Sequence, residues 1–424
     1  MNRAAGTPQA AGPEAAPGKP PIRVGLLGFG VVGGGVVRLL SQKGKSIEAE
    51  IGRAIVLQRV LVRDPRRTRS VALPEDALTT DPGAILDDPE IDVVVELMGG
   101  TAPAADYIRR AIRNRKHVVT ANKEVMATHG IELLTLARQH GVDVYYEASV
   151  GGGIPLIGVF RQDLVANEVR QVRAIINGTT NYILTRMAQD GVDFAPALAE
   201  AQALGYAESD PTNDVEGIDS SYKLAILASL AFRTQVPPDA VYREGITRLR
   251  AAVEVRVHPT FVPQDVLLAD VNGVFNAVYV QGDLVGDVLL YGRGAGAEPT
   301  SSAVVSDVVD VAHNINAGVA NRVPFNDAGR LPVRPIEQLE TRYYVRVWVA
   351  DRPGVLAQIA RIFGDHRISI ASCIQKEADL SAGSAELVIV THPAQERDMH
   401  GALAALDSLD SLRERAAMIR IEGI

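Results

Sequence analysis

The chain is poor in the residues that staple, anchor or label a protein. Its 424 residues hold one cysteine, Cys373, and one tryptophan, and aromatics make up only 5%. A single thiol excludes an intrachain disulfide and suits a reducing compartment, so a cytoplasmic location is expected. No uncharged apolar run approaches the roughly 18 residues of a membrane span. Residues 1–20 lack the apolar stretch of a signal peptide; rich in Ala, Pro and Gly, they read as a disordered tail. Positive charge is in deficit, 43 Lys and Arg against 51 Asp and Glu, and the net charge of −8 argues against a nucleic-acid binder.

What is present describes a soluble multidomain protein. Hydrophobic content is 47% and charged content 22%, both ordinary for a globular chain. The length is too great for one core, so two or three domains are expected.

The stretch LGYAESDPTNDVEGIDSSYKLAI concentrates the chemistry. Glu208, Asp210, Asp214, Glu216 and Asp219 fall within twelve positions, and Lys223 follows. Pro211, Asn213 and Gly217 make the first half a turn-rich loop. From Asp219 the apolar residues recur at helical spacing, which puts Asp219 and Lys223 on one face. A solvated acidic loop with a surface ion pair would be worth only about 0.3–0.5 kcal/mol. The spacing does not match a calcium loop. The alternative is a site where carboxylates bind an ammonium group and Lys223 moves a proton.

The N-terminal part supports that alternative. An apolar strand over residues 22–27 runs into Gly28-Phe29-Gly30-Val31-Val32-Gly33 and then a helix. Glycines in that position let the backbone approach a pyrophosphate at the helix N-terminus. A second strand, 54–62, ends in Arg63 and Asp64; the gap before it implies an insertion over 41–51. Arg63, with Arg67 or Arg69 behind it, would hold a 2′-phosphate and favour NADP, whereas Asp64 would favour NAD. The reading leans to NADP, with NAD as the alternative. Further strands at 91–97, 117–120 and 142–147 alternate with helices at 104–114 and 124–140, as in a doubly wound Rossmann-type fold. Thr101 is placed at the nicotinamide half. Lys123 follows a strand on the edge where open α/β sheets bind ligands.

The turn EASVGGGIP has carbonyls and one acid, Glu147, suited to a hard cation, but a hinge between domains is the better reading of the residues alone. Strands are then expected at 169–176, 266–271, 274–280 and 287–291, and a helix at 303–313. They suggest a mixed sheet covered by helices. His258 reads as structural. From residue 342 alternating apolar residues begin a βαββαβ unit beyond Pro332 and Pro335.

The motifs GFGVVGGGV, ELMGG, VVTANKE, YEASVGGGIP, INGTTNYIL, LGYAESDPTNDVEGID with its lysine, and GRGAGAEPTSSAV appear in that order. Together they resemble homoserine dehydrogenase over residues 22–335. DRPGVLAQIA and ISIASCIQ resemble an ACT domain. The resemblance implies reversible NAD(P)-dependent reduction of L-aspartate 4-semialdehyde to L-homoserine in the synthesis of threonine, methionine and isoleucine. It implies a disordered tail (1–20), a Rossmann domain (21–148), an α+β catalytic and dimerisation domain (149–300), a return helix and linker (301–335) and an ACT domain (341–424). Lys223 then looks like the proton donor and acceptor. Glu208 and Asp219 would hold the substrate with Asp214 nearby, and Lys123 would lie between nicotinamide and substrate. Gly205 and Gly296 would touch the cofactor, and Arg63 its adenosine end. Glu147 and the carbonyls of Val150, Gly152 and Ile154 resemble the family's sodium or potassium site, in place of the hinge. Threonine would bind between paired ACT domains of a homodimer or homotetramer. Four positions depart from the pattern: Arg67 for a lysine, Ser220-Ser221 for a small apolar pair, and Arg367 for a glycine after a helix, where strain is expected. A nucleotide-binding amino-acid sensor without catalysis is the competing class; it could have lost Lys223, Lys123 or Asp219, and all three are present.

Overall fold

A computed structural model describes residues 19–69, 71–246, 256–258, 260–322, 333–375 and 383–422. The tail up to residue 18, and the linker around Asn326, Gly329 and Pro332, lie outside the described residues.

The first unit contains β1 (Ile22–Leu27), α1 (Val31–Ile51), β2 (Ile55–Leu61), β3 (Leu78–Thr79), α2 (Gly83–Leu86), β4 (Val93–Glu96), α3 (Ala104–Arg113), β5 (His117–Thr120), α4 (Lys123–His140) and β6 (Val144–Tyr145). The strands form one sheet in the order β3-β2-β1-β4-β5-β6, and every pairing is parallel. Helices cover both faces, so Val93, Val94 and Val95 of β4 are all fully buried. That explains why the strand reads as continuously apolar. The chain order reverses between β1 and β4, which opens a crevice at the carboxyl ends of these strands.

Residues 41–51 do not form a separate segment between helix and strand but belong to the helix itself. Helix α1 runs through them and ends on Gly52, which takes the left-handed conformation (φ 76°). Leu40, Ile47 and Ile51 recur at helical spacing and pack against the sheet, which outweighs the turn-forming residues between them.

The second unit holds β7 (Val169–Ile175), α5 (Gly178–Asp190), α6 (Phe194–Ala203), α7 (Thr212–Val215), α8 (Ile218–Ala231), β8 (Tyr242–Arg243), β9 (Arg256–Val257), β10 (Thr260–Phe261), β11 (Phe275–Gly282), β12 (Gly286–Arg293) and α9 (Ala297–Ala317). Its sheet, β12-β11-β7, is antiparallel in both pairings, not mixed. The short connection that pairs Gly282 with Gly286 is a hairpin, and a hairpin permits only antiparallel partners. Residues 266–271 are not a strand; Leu267–Asp270 is a 3₁₀ turn that buries Leu268 and leaves Leu267 exposed. Helix α9 begins at Ala297, earlier than expected, and takes in Thr300. It packs back on α1, where a side chain at Gly35 would collide with Ser301, and its Val304, Val308 and Val311 join the core of the first unit.

The third unit is β13 (Glu340–Ala350), α10 (Val355–Asp365), β14 (Ile370–Gln375), β15 (Ser384–Thr391), β16 (Ala394–Gln395), α11 (Glu396–Leu406) and β17 (Leu412–Ile421). Tyr343, Val345, Val347 and Val349 are buried as their alternation requires. The sheet runs β10-β17-β13-β15-β14, so a strand of the second unit extends it in parallel along β17. Beside β10, His258 Nδ1 lies 2.8 Å from the Thr260 hydroxyl. Arg367 does sit in the left-handed region at φ 60°.

Candidate active site

A cavity of about 540 Å³ lies between the carboxyl edge of the parallel sheet and the second unit. Val32, Leu97, Met98 and Lys123 line it from the first unit; Gly205, Asp214, Asp219, Lys223 and Gly296 line it from the second. The two halves are built by different local rules.

On the first side, Gly28 takes φ 102°, and a side chain there would stand 2.8 Å from the Leu97 carbonyl. A side chain at Gly33 would meet the Gly28 carbonyl. These glycines let helix and strand close on each other. Gly30 faces open space and caps α1 without any side-chain hydrogen bond. Its first-turn N–H groups thus fit a pyrophosphate. Val31 is exposed beside it, and Arg69 stacks 5.5 Å above Phe29. Arg63 is exposed at the end of β2, and Asp64 accepts a hydrogen bond from the Arg66 amide at 2.9 Å. Thr101 is not among the lining residues; its carbonyl accepts from Ala105 at the start of α3.

A buried brace supports this wall. Glu96 accepts from the Met98 amide and from the Thr120 hydroxyl, both at 2.6 Å. Burial pushes its carboxyl up to about 7, against those hydrogen bonds. Asn122 caps α4 by accepting from Val125 and donates to the Gly100 carbonyl, so Lys123 begins a helix whose start is pinned.

On the second side, α8 opens at Gly217 (φ 72°) and presents Asp219 in its first turn and Lys223 one turn later. Lys223 Nζ lies 2.6 Å from Asp219 Oδ2 and donates to the Ile176 carbonyl at 3.0 Å. Lys123 Nζ lies 2.9 Å from the other oxygen, Asp219 Oδ1. One carboxylate therefore ties together two lysines that stand far apart in the sequence. Burial opposes the ionisation of Asp219, but Lys223 and Lys123 outweigh it and hold the carboxyl well below its usual range. Burial likewise opposes the charge on Lys123, and Asp219 outweighs it and raises that amine. Burial raises the Asp214 carboxyl, helped by the charge of Asp219 and opposed by a hydrogen bond from Asn177. Ser220 and Ser221 are both buried, and the Ser221 hydroxyl donates to the Ile218 carbonyl at 2.8 Å, so the helix absorbs the polar pair.

Glu208 is exposed and does not line the cavity. Asn177 was quoted in the sequence only as part of a motif, yet it donates to Asp214 at 2.7 Å and to Asp219 at 3.0 Å. Its signal was an Asn three residues ahead of a Thr at a strand–helix junction, a capping pattern.

The glycine turn at 150–154 also lines the cavity, through Gly151 and Gly152, and is held by its own set of backbone contacts. Glu147 accepts three backbone N–H bonds, from Leu156 (2.6 Å), Ile157 (2.8 Å) and Gly158 (2.8 Å), and so caps the following helical turn. A side chain at Gly152 would stand 2.5 Å from the Gly294 carbonyl, so the turn packs backbone to backbone on the 292–296 loop.

Comparison with known proteins decides the family. A homoserine dehydrogenase catalytic-domain profile matches residues 155–253 and 248–309, the homoserine dehydrogenase NAD-binding domain matches 28–147, and the ACT domain matches 343–411. The homoserine dehydrogenase of Pseudomonas aeruginosa is 44% identical over 434 aligned residues, covering 95% of this chain and 99% of that protein.

The chain belongs to the homoserine dehydrogenase family.

It is an NAD(P)-dependent oxidoreductase that interconverts L-aspartate 4-semialdehyde and L-homoserine, with a C-terminal ACT domain. The crystal structure of the family member from Thiobacillus denitrificans superposes with a TM-score of 0.87 at 42% identity, covering 95% of this chain and 98% of that one. A hyperthermophilic archaeal homoserine dehydrogenase in complex with NADPH gives 0.61 at 26% identity, covering 68% of this chain and 97% of that one. Among the described residues no helix is long and apolar enough to cross a membrane.

Proposed function

We propose that Lys223 gives and takes the proton at the substrate oxygen, that Asp214 and Asp219 supply the charge that meets the substrate ammonium, and that Lys123 stands between substrate and nicotinamide. The observation that carries this reading is the Lys123–Asp219–Lys223 chain of contacts on the wall of a cavity whose other wall is the nucleotide-binding edge of the sheet. When bound, the nicotinamide supplies or accepts the hydride. Two N–H bonds of Lys223 point at Asp219 and Ile176, which leaves a third for the carbonyl oxygen. Asp219 keeps both ammonium groups in place without being consumed. Thr101 and Glu208 stand outside this set in the described conformation.

NADP is proposed over NAD. Arg63 is exposed at the end of β2, while Asp64 is tied into its own turn, and the archaeal relative was solved with NADPH. A sodium or potassium ion at Glu147 and the carbonyls of Val150, Gly152 and Ile154 fits only in part. Glu147 Oε1 already accepts two backbone N–H bonds and Oε2 one, so such an ion would rest mainly on the carbonyls, with one lone pair of Oε2 left for it. We read residues 21–148 as the cofactor domain, 149–300 as the catalytic and dimerisation domain, and 341–424 as a unit through which threonine inhibits a cytoplasmic homodimer or homotetramer of threonine, methionine and isoleucine synthesis.

The test is consumption of NADPH with L-aspartate 4-semialdehyde, repeated with NADH and with threonine. Faster turnover with NADH would overturn the NADP assignment. An unchanged rate at millimolar threonine would remove the inhibitor.

A further inference from the structure

Asn177 is nearly fully buried at the junction of β7 and α5, on the cavity wall. Its Oδ1 accepts from the Thr180 amide at 2.8 Å, which caps α5. A backbone N–H can only donate, so this bond fixes which way the amide faces. The NH₂ end must then point at Asp214 and Asp219, and it donates to both. One buried carboxylate, Asp219, and one half-buried, Asp214, thus share one neutral donor. Asp219 Oδ2 receives Asn177 and Lys223 together, while Oδ1 receives Lys123.

We propose that Asn177 is a positioning residue: rigidly aimed by the cap of α5, it sets the distance and rotation of the Asp214 and Asp219 carboxylates, and through Asp219 the position of the Lys223 ammonium. This rests on the reading that Lys223 is the proton-transfer group. Geometry supports a role beyond capping. A cap needs only the oxygen, and any Ser, Thr or Asp supplies one. The NH₂ group is the part that the carboxylates require.

Asn177→Asp tests the difference, because it keeps size and cap oxygen but replaces the shared donor with a third carboxylate. The expected result is a fall of roughly a hundredfold in kcat for semialdehyde reduction, a raised semialdehyde KM, and NADPH affinity by fluorescence titration unchanged. The acid limb of kcat/KM should move to higher pH as three carboxyls compete for a proton. Asn177→Ser keeps a cap with shorter reach; a loss of roughly tenfold without movement of the limb is expected, and this variant answers the question should the first not fold. Activity of both variants within about threefold of the parent, with an unmoved limb, would reduce Asn177 to a helix cap. Full activity of Lys223→Ala, in contrast, would strike at the proposed proton transfer and not at the link between Asn177 and the two carboxylates.

Discussion

The Lys223 ammonium sits 2.6 Å from the Asp219 carboxylate one helical turn before it, and the same carboxylate holds Lys123 from a helix of the other domain at 2.9 Å. This single acid joins the two halves of the cavity. It accounts for how the Lys223 ammonium on α8 faces the edge built by β1, β4 and β5.

Lys223→Ala removes the proposed proton donor from the cavity wall. A loss of about 10²–10⁴-fold in kcat is expected, the usual contribution of a positioned acid. NADPH binding, followed by fluorescence, should stay as in the parent. Full activity would end the assignment of Lys223.

Asp219→Asn leaves two ammonium groups facing each other without their anion. Removing one partner of a buried ion pair costs about 3–5 kcal/mol. The Asp219 carboxyl is depressed in the folded protein, so its stabilisation is present above the ordinary carboxyl range and is lost as pH falls through the depressed folded value. The thermal midpoint of Asp219→Asn should therefore lie well below the parent's at neutral pH, and the gap should narrow in acid. Equal midpoints at neutral pH would contradict the buried network.

Gly33→Val places a side chain against the Gly28 carbonyl, inside the turn that must admit the pyrophosphate. Backbone cannot yield as a flexible side chain can, and overpacking costs about 1–3 kcal/mol. NADPH affinity should fall at least tenfold, a drop of about 1.4 kcal/mol, and the KM for semialdehyde should change less. Isothermal titration with NADPH measures the first and steady-state kinetics the second.

Glu244 sits where β8 meets the ACT unit. Its carboxylate is 3.8 Å from buried Arg420, which also pairs with Glu396, and it accepts from the Tyr242 hydroxyl at 3.0 Å. Burial pushes its carboxyl up to about 7, opposed mainly by Arg420. A raised folded value means that the stabilisation is whole below the unfolded value of 4.5 and fades as pH climbs towards 7. Glu244→Gln cannot ionise. Its melting temperature relative to the parent should rise steadily over that interval and then level off. A difference independent of pH would show that Glu244 is not buried in this way.

Most of the elements were legible because each obeys a local rule. The strand–glycine–helix start, the apolar β4 and the alternating β13 carry their periods in the chain. Residues 41–51 and 266–271 were misread where composition and packing disagree. Ser and Gly in α1 look like a loop until Ile47 and Ile51 are seen to meet the sheet. Val266 and Leu268 look like a strand until no partner strand is seen beside them among the described residues. In the site, the role of Asn177 was hidden because its cap is local but its two acceptors lie 37 and 42 residues further on.

By itself the chain determined the order of its units, the cofactor-binding turn and the face shared by Asp219 and Lys223, since glycine conformations and helical spacing act over a few residues. Only tertiary structure decided that Lys123 would reach Asp219, that Glu147 would cap a helical turn, and that β10 would join the ACT sheet. Those outcomes depend on which buried polar groups find partners once water is excluded, and partners far apart in sequence leave no periodic trace.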